Sequence, residues 1–169
     1  WGYARNVPLD LDALPVVPAK FQGSRNGTTP SLIVLHTGET FEGPTAAEGM
    51  AAFFAAGPSS GASTQIVLDN NSIIRCVGDD RRANGASGGV NSYGLHVEQA
   101  GRAGQRLSDW RDAYSIAVVG KAAQVVAAWH RKYPHIPVHR RLTVDEMVAA
   151  VRSGHNPTGL CGHVDVTAM

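Results

Sequence analysis

Cysteine is scarce in this chain: Cys76 and Cys161 are the two thiols in 169 residues, both inside apolar stretches. That argues against a disulfide framework and makes buried, unpaired thiols the expectation, with Cys161 a possible ligand because it stands two residues from His163. No apolar run approaches the roughly 18 residues that a membrane span needs, and there is no internal repeat or low-complexity tract. Net charge is nearly absent as well, with 15 Lys and Arg against 14 Asp and Glu, a balance of +1 and a pI near 8.1. A nucleic-acid footprint and a membrane-surface patch are therefore not expected, and partner identity has to come from a site. The start, Trp1-Gly2-Tyr3-Ala4-Arg5, has neither an initiator Met nor the charged and apolar blocks of a signal peptide. A soluble chain cut from a longer polypeptide is the expectation.

A hydrophobic content of 43% suits one compact domain with a sizeable core. Residues 1–30 carry Pro8, Pro15, Pro18 and Pro30 with Gly23 and Gly27, and read as an extended arm. Ser31 to Thr37 is near-continuously apolar and β-branched, as in a central strand buried on both faces. Thr45-Ala46-Ala47-Glu48 is a capping-box pattern opening a short helix, with Met50, Phe53 and Phe54 on one face and Gly57-Pro58 at its end. Thr64–Leu68 and Ser72–Val77 flank Asp69-Asn70-Asn71 and predict a β-hairpin. The glycine-rich stretch Gly85–Gly89 predicts a mobile surface loop. After Ser108-Asp109 as caps, Ile116, Val119, Ala123, Val126 and His130 recur at helical spacing opposite Lys121, Gln124 and Arg131. A second capping box at Thr143-Val144-Asp145-Glu146, stapled by Leu142 and Met147, opens another helix, and Leu160 to Val166 returns as a strand or extended segment. The order of elements gives an α/β architecture, a mixed central β-sheet with flanking helices.

Histidine supplies the chemistry. His36 ends the apolar run Leu32-Ile33-Val34-Leu35-His36-Thr37, and His163 sits in Gly162-His163-Val164-Asp165-Val166 near the C-terminus. Two neutral imidazoles brought together from distant segments at strand ends are how folds assemble zinc sites. In Tyr93–Gln99, alternation sends Leu95 and Val97 to one face and His96 and Glu98 to the other, a candidate site wall. His130, His135, His139 and His155 stand among Arg131, Lys132, Arg140 and Arg141, which disfavours a further cation, so they read as surface residues. Trp110 and Trp129 read as helix anchors. Asn84, Gly85 and Asn91 are candidate groove residues.

Four blocks carry a resemblance: Leu32–Thr37, the hairpin around Asp69-Asn70-Asn71, Asn91-Ser92-Tyr93-Gly94-Leu95-His96-Val97-Glu98, and Gly162–Val166. Their order is similar to that of the type 2 N-acetylmuramoyl-L-alanine amidases, whose fold is shared with peptidoglycan-recognition proteins. Within that family the chain most resembles amidase modules of endolysins from phages of mycobacteria and other actinobacteria. The resemblance spans about residues 31–169 and implies a zinc hydrolase that cuts the amide between N-acetylmuramic acid and the L-alanine of the stem peptide. It places the metal-ligand histidines on His36 and His163, with Zn2+ as cofactor and peptidoglycan as partner. Phage-mediated host lysis is the implied role, by a monomeric domain of a multidomain endolysin held in the host cytoplasm until released to the wall.

Two positions depart from the family pattern. The family's third ligand, an aspartate or cysteine in an Asp-Pro-Gly type segment, has no match up to Met169, so it is expected beyond that residue. Asp165 belongs to the His-x-Asp-Val block and is not that ligand. Aligning Ser92-Tyr93-Gly94-Leu95 with the family's Ser-Ile-Gly-Ile-Glu puts His96 at the glutamate position and Glu98 two residues on. Either group can move a proton near zinc; Glu98 is assigned as general base, with His96 as its catalytic neighbour or an auxiliary ligand. A family tyrosine falls on Ser63. The alternative reading is a metal-poor peptidoglycan-binding module on the same fold.

Overall fold

A computed structural model describes residues 7–87 and 89–169; residues 1–6, with the opening Trp1–Arg5 segment, and Gly88 of the glycine-rich loop lie outside the described residues. Residues 7–30 run without helix along the body. They are tied by backbone bonds from Val17 to Arg75, Arg75 to Pro15 and Ala19 to Cys76, and by a two-residue strand β1 (Gly23–Ser24). The first long strand, β2 (Leu32–Thr37), is followed by helix α1 (Ala46–Ala56), the hairpin β3 (Ile66–Leu68) and β4 (Ile73–Arg75), and a short β5 (Arg81–Arg82) that pairs with β1. Then come β6 (Gly94–Gln99), helix α2 (Ala113–Lys132), helix α3 (Val144–Arg152), β7 (Gly159–Gly162) and helix α4 (His163–Ala168).

The main sheet has five strands in the order β4-β3-β6-β2-β7. Strand β2 is its centre, parallel to β6 on one side and β7 on the other, and β3 runs parallel to β6, so only the edge strand β4 is antiparallel. This is why Leu32, Ile33 and Val34 read as an unbroken apolar run: with neighbours on both edges and layers on both faces, no residue of that stretch meets water. One face carries Ile33, Leu95 and Val97 against Val118, Val125 and Trp129 of α2. The other face is covered in two patches. Met50 and Phe54 of α1 pack on Val67 and Ile74 at the β3–β4 end, while Met147 of α3 and Val166 of α4 pack on Leu32, Val34 and Cys161 at the β2–β7 end. The gap between the two patches lies over the ends of β2 and β6.

Three local expectations are corrected. Helix α1 has no cap from the Thr45 side chain; the buried carboxylate of Asp69 in the hairpin accepts from Ala47 N–H at 3.0 Å instead, so a tertiary contact replaces the local box. Helix α2 starts later than Ser108-Asp109, with Asp112 accepting from Ser115 N–H at 2.7 Å as its cap. Its buried face is Val118, Ala122, Val125, Val126 and Trp129, so Val126 of the expected face is buried, whereas Ile116 and Val119 are exposed. Apolar residues surround much of this helix, so periodicity alone did not select the face that the bulky Trp129 anchors. Residues 163–168 are helical rather than extended, because Asp165 accepts from Gly162 N–H at 2.8 Å and starts a turn there. The box at α3 forms as expected, with Thr143 accepting from Glu146 N–H and Glu146 from Thr143 N–H. Cys76 and Cys161 are free and buried, and burial pushes both thiols up to about 12.

Trp129 is fully buried and Ile116 is 60% exposed on the same helix. Truncating Trp129 to Ala is expected to cost about 3–5 kcal/mol of unfolding free energy, and Ile116→Ala to stay within about 0.5 kcal/mol. Urea unfolding of both variants checks the face; equal losses would contradict it.

Candidate active site

Three chain segments converge at the carboxyl ends of the parallel strands, where open α/β sheets place their ligands. His36 is the fifth residue of β2 and stands in register with Glu98 of β6, so the two side chains leave the same face of the sheet. His163 follows directly on β7 as the first residue of α4. The strand passes directly into helix at that point, where Asp165 is locked: Arg141 reaches both carboxylate oxygens, one from Nε at 2.8 Å, and Gly162 N–H adds a third bond. Burial alone would raise the Asp165 carboxyl, but hydrogen bonds from Arg141 and Gly162 outweigh it and hold it below its ordinary range. With its oxygens so engaged, Asp165 anchors the helix and leaves His163 to face the site.

His36 Nδ1 stands 2.7 Å from His163 Nδ1, and His36 Nε2 stands 3.0 Å from His96 Nδ1. The His36 ring meets His163 edge to face, with centroids 4.5 Å apart. Burial first, then the neighbouring His96 and His163, depress His36 to about 2; burial, then Arg25 and His163, depress His96 to about 3. Both rings are therefore neutral at physiological pH. Burial, then the Glu39 carboxylate nearby, raises Glu98 to about 8. Glu98 Oε1 lies 3.8 Å from His36 Nδ1, and with His36 uncharged and Glu98 largely protonated this approach is no ion pair.

His36, His163 and Glu98 form the floor of an open cleft of about 1210 Å³ whose walls include Met50, Phe53 and Phe54 of α1, Val164 and Thr167 of α4, and Asn84 with Gly85. It is the gap left between the two helical patches on this face. Of the expected site residues, His36, Glu98 and His163 line the cleft together. His96 does not: it is fully buried behind His36. Asn91 ties both the N–H and the C=O of Ala86 and so closes the glycine-rich loop rather than lining the groove. Cys161 packs in the core with Val34 and Met147, on the side of the sheet that α3 and α4 cover. Not anticipated were Arg141 as the anchor of Asp165, whose only sequence signal was a buried-type aspartate in need of a cation, and Glu39, which comes from a loop with left-handed backbone (φ 50°).

Two imidazole nitrogens directed at one another from rigid element ends, beside a desolvated carboxyl, fit zinc by donor chemistry. At 2.7 Å the nitrogens have to part, since two ligands of a tetrahedral ion stand about 3.4 Å apart. Among the described residues no group of three or more His, Cys, Asp or Glu could hold a metal, and His36 with His163 is the pair of imidazoles that faces the cleft.

A family model described as N-acetylmuramoyl-L-alanine amidase matches residues 26–167. Among solved structures, Staphylococcus aureus hydrolase AmiA in complex with its ligand superposes with a TM-score of 0.66 at 17% identity, over 95% of this chain and 69% of that one. AmpD gives a TM-score of 0.58 at 20% identity, over 93% and 84%, and PlyL 0.57 at 12% identity, over 92% and 84%. At such identities these three speak for a shared fold. No curated protein sequence matches this one.

The shifts give opposite pH signatures in the metal-free protein. His36 and His96, depressed on folding, supply stability present above about pH 6.5 and lost as pH falls toward 3 and 2. Glu98, raised on folding, supplies stability complete below pH 4.5 and lost as pH rises through 8. Glu98→Gln is thus expected to melt higher than the parent at pH 8.5, with the difference vanishing near pH 5; a pH-independent difference would contradict the desolvated carboxyl.

Proposed function

The chain belongs to the N-acetylmuramoyl-L-alanine amidase family, and on that premise we propose that it is a zinc-dependent hydrolase of the amide joining N-acetylmuramic acid to the L-alanine of the stem peptide. The observation that carries this reading is the meeting of His36, His163 and Glu98 on the floor of one cleft. His36 and His163 would hold the ion through their Nδ1 atoms, with a further ligand from outside the described residues. When bound, zinc supplies Lewis-acid polarisation of the scissile carbonyl and a lowered pKa for water.

Glu98 does the proton work. Its carboxylate takes a proton as the water oxygen bonds to the lactyl carbonyl carbon, then returns it to the alanine nitrogen as the carbon–nitrogen bond breaks. A carboxyl raised toward neutrality is matched to both halves of that transfer, because neither protonation state is far out of reach at working pH. The cleft walls, apolar at Met50, Phe53 and Phe54 and polar at Asn84 and Thr167, suit a ligand that is part lactyl-peptide and part sugar. The four sequence blocks support the finer reading of an endolysin module that acts on the wall during phage lysis.

One observation favours a second reading, a peptidoglycan-binding module without metal: the two Nδ1 atoms are already within hydrogen-bond distance of each other. Mass spectrometry of digested peptidoglycan separates the two, since the enzyme releases stem peptides with a free N-terminal alanine. His36→Ala is expected to abolish that release with the fold retained, and Glu98→Gln to lower kcat by about 10²–10⁴ while zinc content stays that of the parent. Wall binding with no new amino termini, in protein carrying zinc, would sink the amidase reading.

A further inference from the structure

We propose that His96 is a positioning residue for His36: its Nδ1 accepts the Nε2–H of His36 and so turns the His36 Nδ1 lone pair toward the cleft. This rests on the zinc reading above and assigns His96 neither a ligand nor a proton-transfer role. A neutral imidazole has one N–H, and a ring that gives Nδ1 to a metal must carry that hydrogen on Nε2. The His36 Nε2 faces His96 Nδ1 at 3.0 Å, so the tautomer that metal binding requires has its acceptor in place.

His96 is built to stay there. Its backbone N–H donates to Gln65 Oε1 at 2.8 Å, and its C=O accepts from Thr64 Oγ1 at 2.9 Å. Gln65 and Thr64 are themselves fully buried. The ring sits in a socket that exists only because two neighbours are glycine. A Cβ at Gly85 would stand 2.6 Å from His96 Cγ, and one at Gly94 would stand 2.7 Å from His96 Nε2. Fully buried and absent from the cleft walls, the ring has no route to substrate. Its other nitrogen, Nε2, has no hydrogen-bond partner among the described residues. The one polar contact of the ring is therefore the bond to His36. A ligand histidine whose second nitrogen is held by an acceptor is the arrangement that fixes ring orientation and basicity in metal sites.

The test compares zinc affinity, by chelator competition, in the parent chain, His96→Leu and His96→Asn. Leucine fills the socket without an acceptor; asparagine keeps an oxygen where Nδ1 stands. Zinc binding is expected to weaken about 10–100-fold in His96→Leu and to return to within about threefold of the parent in His96→Asn, with zinc-free melting temperatures of the two variants alike. Equal affinity of His96→Leu and the parent would overturn the proposal, as would an asparagine variant as weak as the leucine one. A parent chain that binds no zinc would instead overturn the zinc reading, and this role with it. Should the variants not fold, a long-range proton–nitrogen spectrum of the zinc-loaded parent decides: a proton on His36 Nε2 coupled to His96 Nδ1 supports the role, and a proton on His96 Nδ1 refutes it.

Discussion

Parallel pairing of β2 with β6 and β7 is the constraint on which the rest depends, because register there decides which side chains meet. His36 stands opposite Glu98 and Val34 opposite both His96 and Cys161. Side-chain direction alternates along a strand, so a slip of one residue in β2 would turn His36 into the α2 core and put Leu35 where the imidazole now stands. The apolar residues Leu32, Ile33 and Val34 prevent that slip, since all three are fully buried, Ile33 against α2 and Leu32 and Val34 against α3 and α4 on the opposite face. The site is thus precise as a consequence of the core, and its catalytic face is simply the part of the sheet that neither α1 nor the α3–α4 pair covers.

Desolvation then sets the chemistry of what the register brings together. Three imidazoles in a row, His163, His36 and His96, are compatible only if the inner two carry no charge, and burial depresses both far below neutrality. The same environment raises Glu98. Uncharged nitrogens and a carboxyl near neutrality are what a metal hydrolase needs before its ion arrives. The charged groups that are buried elsewhere have partners: Arg141 fixes Asp165, and Lys132 with Trp129 Nε1 holds Asp79.

The sequence made the central strand, the hairpin, the α3 capping box and the pairing of His36 with His163 legible, because each has a local signature: an apolar run, a turn tripeptide, a box spacing, a histidine at a strand end. What it hid is non-local. The α1 cap comes from Asp69, 22 residues away, and the α2 face is chosen by Trp129 docking rather than by periodicity. Alternation correctly put His96 and Glu98 on one face, yet their depth differs, since Glu98 reaches the cleft and His96 lies under His36. Depth along a strand has no period and cannot be read from spacing. The turn at Asp165 likewise depended on Arg141, a partner that no motif announces.

The shared fold and the family place this chain among the amidases; the pair of histidines is what would make it a zinc enzyme. Crystals grown with zinc and measured at the zinc absorption edge test that claim most directly. The account predicts an anomalous peak between His36 and His163, about 2.0–2.1 Å from each Nδ1, with His96 outside the coordination sphere. No peak there at saturating zinc, or a peak bound through His96, would contradict it.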